Sequence, residues 1–167
     1  ESYDPVTTPL DENGQGDPYA LYGYGVQIAE LTVDTELGKV VIDRITAAHD
    51  VGKAVNPTLI EGQIEGGIAQ GIGLALMEEY LPGVTNNLHD YLIPTIGDMP
   101  DIDIFIVEDD ACHVPNGIKG LGEHVLIPTA PAILNGIRNA SGAKIKTLPA
   151  TPAKVLSAIK DAEFKSV

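Results

Sequence analysis

The chain has 167 residues, 44% of them hydrophobic, and a net charge of −14. That length and apolar content suffice for one domain with a true core, while the acidic balance is the reverse of the basic footprint that nucleic acid or an anionic lipid surface requires. The longest apolar region, residues 59–77, is interrupted by Glu61, Gln63, Glu65 and Gln70, which excludes it as a membrane span.

The chain opens "ESYDPVTTPL", with no initiator Met and no secretory leader, and reads as a fragment or a processed piece. Residues 1–24 are rich in Pro, Gly, Asp and Tyr and predict an extended loop region. No internal linker divides the rest, so residues 1–167 form a single domain. One cysteine, Cys112, cannot close an internal disulfide, and a reducing, cytoplasmic setting fits it best.

Residues 25–33 ("GVQIAELTV") and 39–47 ("KVVIDRITA") are β-branched with partial alternation. The "DTELG" between them is a tight turn with Gly38 at positive φ, so the pair predicts a β-hairpin. Residues 58–80 follow, with Ile60, Ile64, Ile68 and Ile72 tracing one stripe of a long helix. "DYLIPT" is short and extended, and residues 101–109 ("DIDIFIVED") alternate as a half-buried strand. Residues 130–140 predict a helix ending at Ser141-Gly142, "AKIKTL" a strand, and "TPAKVLSAIKDA" a helix capped by Thr151 with Pro152 at its first position. The fold class is α+β: a β-hairpin and short strands packed with a long Gly-rich helix and C-terminal helices.

Gly costs about 1 kcal/mol relative to Ala inside a helix, and the long helix carries Gly62, Gly66, Gly67, Gly71 and Gly73. On the helical wheel Gly62, Gln63, Gly66, Gly67, Gln70 and Gly73 fall opposite or beside the isoleucine stripe. This bare, amide-bearing face suits close packing against another element, or a bulky polar ligand met by the glutamine carboxamides. Spacing leaves both open.

The second unusual stretch is "GIKGLGEHVLIPTAPAI", residues 117–133, which holds Glu123 behind three glycines and a lysine. Side-chain-free backbone lets something large approach the carboxylate. Glu123 is then either a general base or an ordinary first-turn glutamate at a helix start. The remaining signals are weaker. His49-Asp50 reads as a hydrogen-bonded pair at a strand end, His89-Asp90 as loop, and His124 as a neighbour able to support Glu123. "EDDACH", residues 108–113, has a Cys-x-His spacing uncommon in structural zinc sites. Walker-type, dinucleotide and Ser-His-Asp patterns are absent.

Taken together, "YGYGVQIAELTVDTELGKVVIDRITAAHDVGKAVNP", "EGQIEGGIAQGIGLALMEEY", "NLHDYLIPT" and "GIKGLGEHVLIPTAPAILNGI" resemble the molybdenum hydroxylases, the xanthine dehydrogenase and aldehyde oxidase family. The resemblance covers nearly the whole chain and corresponds to the C-terminal part of that family's molybdopterin-binding large subunit, so it implies a molybdopterin-binding domain of that type. It implies that Glu123, in "KGLGE", is the general base in hydroxylating an electron-poor carbon of an N-heterocycle or aldehyde, with water as oxygen source. It further implies that Gln63 lies near the cofactor, that Gln70 matches only in type, and that Lys119, Gly120 and Gly122 bring backbone close to the pterin. The metal would be held by the pterin dithiolene, with no protein ligand on this chain. One cysteine cannot hold an iron–sulfur cluster, so Fe-S clusters and FAD belong to partner subunits or domains, and the rest of the molybdopterin-binding polypeptide must complete the pocket around a small-molecule substrate.

Two other readings compete with this one. The first is a non-catalytic binding or scaffold module of the same fold, and the second a self-sufficient acid-base hydrolase pairing Glu123 with His124 or His49.

Overall fold

A computed structural model describes residues 4–109 and 114–163. Residues 4–24 contain no helix or strand. Strand β1 (Gly25–Val33) and strand β2 (Val40–Asp50) form the expected hairpin, closed by Asp34, whose Oδ1 accepts from the amides of Glu36 and Leu37, both at 2.9 Å. Gly38 takes φ +69°, and a Cβ there would run into the Pro152 carbonyl oxygen.

Strand β3 (Asp101–Val107) adds to β2 in parallel, giving a three-stranded sheet in the order β1-β2-β3. Parallel neighbours need a crossover, and here it contains helix α1 (Pro57–Ile72). Pro57 opens the helix and the Asn56 side chain accepts from the Leu59 amide at 3.2 Å, a sound N-terminal cap. The α-helix is shorter than the periodicity predicts. From Gly73 to Met77 it widens into a π-turn, in which the Glu78 amide donates to the Gly73 carbonyl five residues back, and the chain leaves as extended backbone at Glu78.

Helix α2 (Thr129–Ser141) ends at Gly142 with φ +72°, and helix α3 (Pro152–Glu163) starts at the predicted proline. The strand expected at "AKIKTL" does not form. Its alternation reflects one-sided packing, with Ala143 buried and Ile145 half-buried, but no strand among the described residues pairs with it, so it enters no ladder.

Both helices α1 and α2 cover the same face of the sheet. Ile45, Ile64, Ile68, Ile133 and Ile137 are fully buried there with Ala47, Val125 and Val155, each isoleucine contributing roughly 2 kcal/mol of transfer free energy. Gly136 lets α2 approach β1 closely, since a Cβ would stand 2.7 Å from Leu31 Cδ2. The opposite face is bare: Val26 is 64%, Ile28 60% and Phe105 59% exposed. No helix among the described residues is long and apolar enough to cross a membrane.

Candidate active site

The glycines of α1 divide into two sets. Gly67 and Gly71 are buried and are needed for packing within the chain: a Cβ on Gly67 would lie 2.7 Å from Val125 Cγ1, and one on Gly71 would collide with Thr129. Gly73 is likewise hemmed in by Glu78 and Pro94. Gly62 and Gly66 are exposed and would meet nothing within 4 Å. The sequence grouped Gly67 and Gly73 with the bare face; the structure assigns them to the interior. What remains on that face is Gly62, Gln63, Gly66 and Gln70, all exposed.

The same contacts bring the two stretches singled out in the sequence together. Val125 and Thr129 follow Glu123 by two and six residues, so the close approach at Gly67 and Gly71 seats the Glu123 turn directly on α1. Residues 122–128 form turns ahead of α2, whose N-cap is Pro128 with no side-chain cap. Glu123 is therefore not the first-turn capping glutamate. It is exposed, and no hydrogen bond or ion pair reaches its carboxylate among the described residues.

Ahead of it, the loop is stitched to the end of β2. The Lys53 amide donates to the Gly117 carbonyl at 2.7 Å, the Lys119 amide to the Val51 carbonyl at 3.0 Å, and Gly52 bridges Ile118. Gly52, at φ +61°, has no room for a Cβ because the Gly117 carbonyl oxygen occupies that space. The Lys119 side chain is buried, its ammonium ion-paired with Asp50 and, at 3.3 Å, Asp109, and it donates to the Tyr22 carbonyl oxygen at 3.2 Å. The hydrogen bond to Asp50 holds the ammonium above lysine's usual range despite the burial. Gly120 and Gly122 are exposed and, like Gly62 and Gly66, would carry a Cβ into open space. Thus the loop backbone is fixed while its glycines stay uncovered.

Gln63 and Lys119 line one cavity of about 180 Å³, with Val51, Val55, Leu59 and Leu121. Ligand sites usually enclose ~300–1,000 Å³, so this is one corner of a site rather than a whole one. A larger cavity of about 600 Å³ lies at the hairpin end, among Val40, Ile42, Ile72 and Pro152. None of the predicted site residues lines it.

Beneath the Glu123 turn is a buried polar cluster that the sequence did not reveal. Gln27 Nε2 donates to the Val125 carbonyl at 2.9 Å and lies 3.2 Å from His49 Nε2, while its Oε1 accepts from Thr129 Oγ1 at 2.7 Å. Burial, reinforced by the nearby His124 ring at 5.3 Å, lowers the His49 pKa to about 4. His49 and Asp50 do not form the expected pair: they point to opposite sides of β2, one to Gln27 and the other to Lys119. Gln27 could have been suspected as a polar residue at an inward position of an alternating strand. Its partners, 98 and 102 residues away, could not.

Neither His49 nor His124 bonds to Glu123 among the described residues. His89 lies in a surface turn, as expected. Residues 110–113, most of the "EDDACH" stretch, lie outside the described residues, and no group of three potential metal ligands occurs among the described ones.

A family model described as the molybdopterin cofactor-binding domain matches residues 1–100. The chain is 44% identical over 138 residues to the xanthine dehydrogenase molybdenum-binding subunit of Escherichia coli, covering 79% of this chain and 18% of that protein. The crystal structure of the aldehyde oxidoreductase from Desulfovibrio gigas superposes with a TM-score of 0.88 at 40% identity, covering 92% of this chain and 17% of that one. Quinoline 2-oxidoreductase from Pseudomonas putida 86 does so with a TM-score of 0.75 at 37% identity, covering 80% and 18% respectively. The chain thus spans less than a fifth of the length of these relatives.

Proposed function

The chain belongs to the molybdopterin cofactor-binding domain family, and on that premise we propose that it forms one wall of the active site of a molybdenum hydroxylase, with Glu123 as the general base. The observation that carries the proposal is a set of four glycines, Gly62, Gly66, Gly120 and Gly122, that no neighbour among the described residues requires to be glycine. They border an exposed glutamine, Gln63, and an exposed carboxylate, Glu123, that has no partner among the described residues. A large, polar cofactor lying against this backbone accounts for the missing side chains, and the residues present fit it. Gln63 would hold it through its carboxamide, and Lys119, Gly120 and Gly122 through their main chain.

When bound, the cofactor supplies a two-electron acceptor for hydroxylating an electron-poor carbon of an N-heterocycle or aldehyde, with water as the oxygen source. The chain contributes the proton chemistry. Glu123, exposed, accepts the proton lost by the attacking oxygen, and the fixed loop holds it in place without a bond to its own oxygens among the described residues. General bases of this kind accelerate reactions by roughly 10²–10⁴-fold. Lys119, committed to Asp50, fixes the loop and does not reach for substrate.

A corner of about 180 Å³ and an uncovered sheet face both call for further polypeptide, which we identify as the rest of the same molybdopterin-binding subunit. Electrons leave through iron–sulfur and flavin groups on other domains or subunits. Purification of the assembly from its native source tests the reading: it predicts stoichiometric molybdenum and pterin, and their absence from an intact assembly would reject it.

A further inference from the structure

Glu123 has no partner of its own among the described residues; its turn is set by what lies underneath. The Val125 carbonyl, two residues on, faces the core and needs a donor, because an unpaired buried carbonyl costs about 1–3 kcal/mol. The main donor is Gln27 Nε2 at 2.9 Å, with Thr129 Oγ1 a more distant second at 3.5 Å. A primary amide can present either end; the Val125 carbonyl, an acceptor only, requires the NH2 end, and Thr129 Oγ1 then anchors the other end by donating to Gln27 Oε1 at 2.7 Å. The second Nε2 hydrogen faces His49 Nε2 at 3.2 Å, which accepts only in the neutral ring that carries its hydrogen on Nδ1, a buried atom with no partner among the described residues. His49 and Thr129 are fully buried and Gln27 nearly so, so water does not compete for these bonds.

We propose that Gln27 is a positioning residue for the Glu123 turn, with Thr129 anchoring its carboxamide oxygen and His49 supplying the second acceptor. An apolar side chain of equal size would fill the same space but would leave the Val125 carbonyl to swing, taking the carboxylate two residues away with it. The inference rests on the reading of Glu123 as the base.

The test compares Thr129→Val, Thr129→Ser, Gln27→Met and Glu123→Gln in the molybdenum-loaded assembly. Thr129→Val keeps the shape and removes the hydroxyl, whereas Thr129→Ser keeps the hydroxyl. The expected result for Thr129→Val is a kcat lowered about tenfold with KM within twofold and molybdenum content unchanged, together with faster hydrogen exchange of the amides of residues 124–127. Thr129→Ser should recover most of the kcat and the protection. Gln27→Met should match or exceed the valine variant. An inactive Glu123→Gln beside a Thr129→Val with wild-type kcat and wild-type exchange would overturn the positioning role alone, as would a serine variant no better than the valine. A fully active Glu123→Gln would instead overturn the base assignment on which it rests.

Discussion

Glu123 and Gln63 share one property: each is an exposed polar side chain on backbone that the chain holds still for other reasons. For Gln63 that backbone is the middle of α1, two turns after the Asn56 cap, so truncating it leaves the fold intact. Gln63→Ala should keep the thermal midpoint while losing cofactor, by about tenfold in retention if one hydrogen bond of ~1.5 kcal/mol disappears. Equal losses of fold and cofactor would instead mark it as a packing residue. His49 gives a second prediction at this scale. Its pKa is about 4 in the folded protein and near 6.5 when unfolded, so between those values the unfolded state carries the extra proton and stability rises with pH. The contribution is complete above roughly pH 6.5 and is lost as the pH falls toward 4. Denaturation midpoints measured across that window should fall on acidification, and His49→Gln should flatten the dependence by up to one proton; an unchanged slope would contradict the assignment.

Among the elements, α1 shows best how far the sequence could be read. Its isoleucine stripe was legible because burial follows the 3.6-residue period, and Ile64, Ile68 and Ile72 are indeed interior. The meaning of its glycines was not, because a glycine against a neighbour and a glycine against open space look alike until the neighbour is placed. Long-range contacts with Val125 and Thr129 separate the two kinds. For the same reason the polar cluster of Gln27, His49 and Thr129 was invisible, and the alternation of "AKIKTL" misled, since a strand needs a neighbour as well as a pattern. The hairpin, β3, α2 and α3 follow local pattern, turn and cap signals and were found to within three residues, β2 running on to Asp50 and β3 stopping at Val107. The division of the glycines can be tested directly. Gly66→Ala should raise the stability of the polypeptide without cofactor by up to ~1 kcal/mol, yet hinder cofactor loading. Gly67→Ala, driven against Val125 Cγ1, should destabilise it by about 1–3 kcal/mol. Thermal midpoints shifting in the same direction for both would contradict the assignment.

For the molecule as a whole, the sheet has one covered face and one bare face, and the candidate site has one wall. Both are explained if this chain is a section of the larger subunit whose relatives it spans by less than a fifth. Phe105, on the bare face, makes the point testable. Introducing a charge at a solvent-exposed position costs within about 0.5 kcal/mol, whereas burying an unpaired charge under further polypeptide costs several times more. Phe105→Asp in the full-length subunit should therefore lower the melting temperature by several degrees; an unchanged value would mean that the face stays open. The central claim, that Glu123 moves the proton in a molybdenum-dependent hydroxylation, is tested most directly by turnover of the molybdenum-loaded Glu123→Gln assembly. A fall of roughly 100-fold or more in kcat at unchanged molybdenum content is predicted from the usual contribution of a general base, and activity within a few-fold of wild type would contradict it.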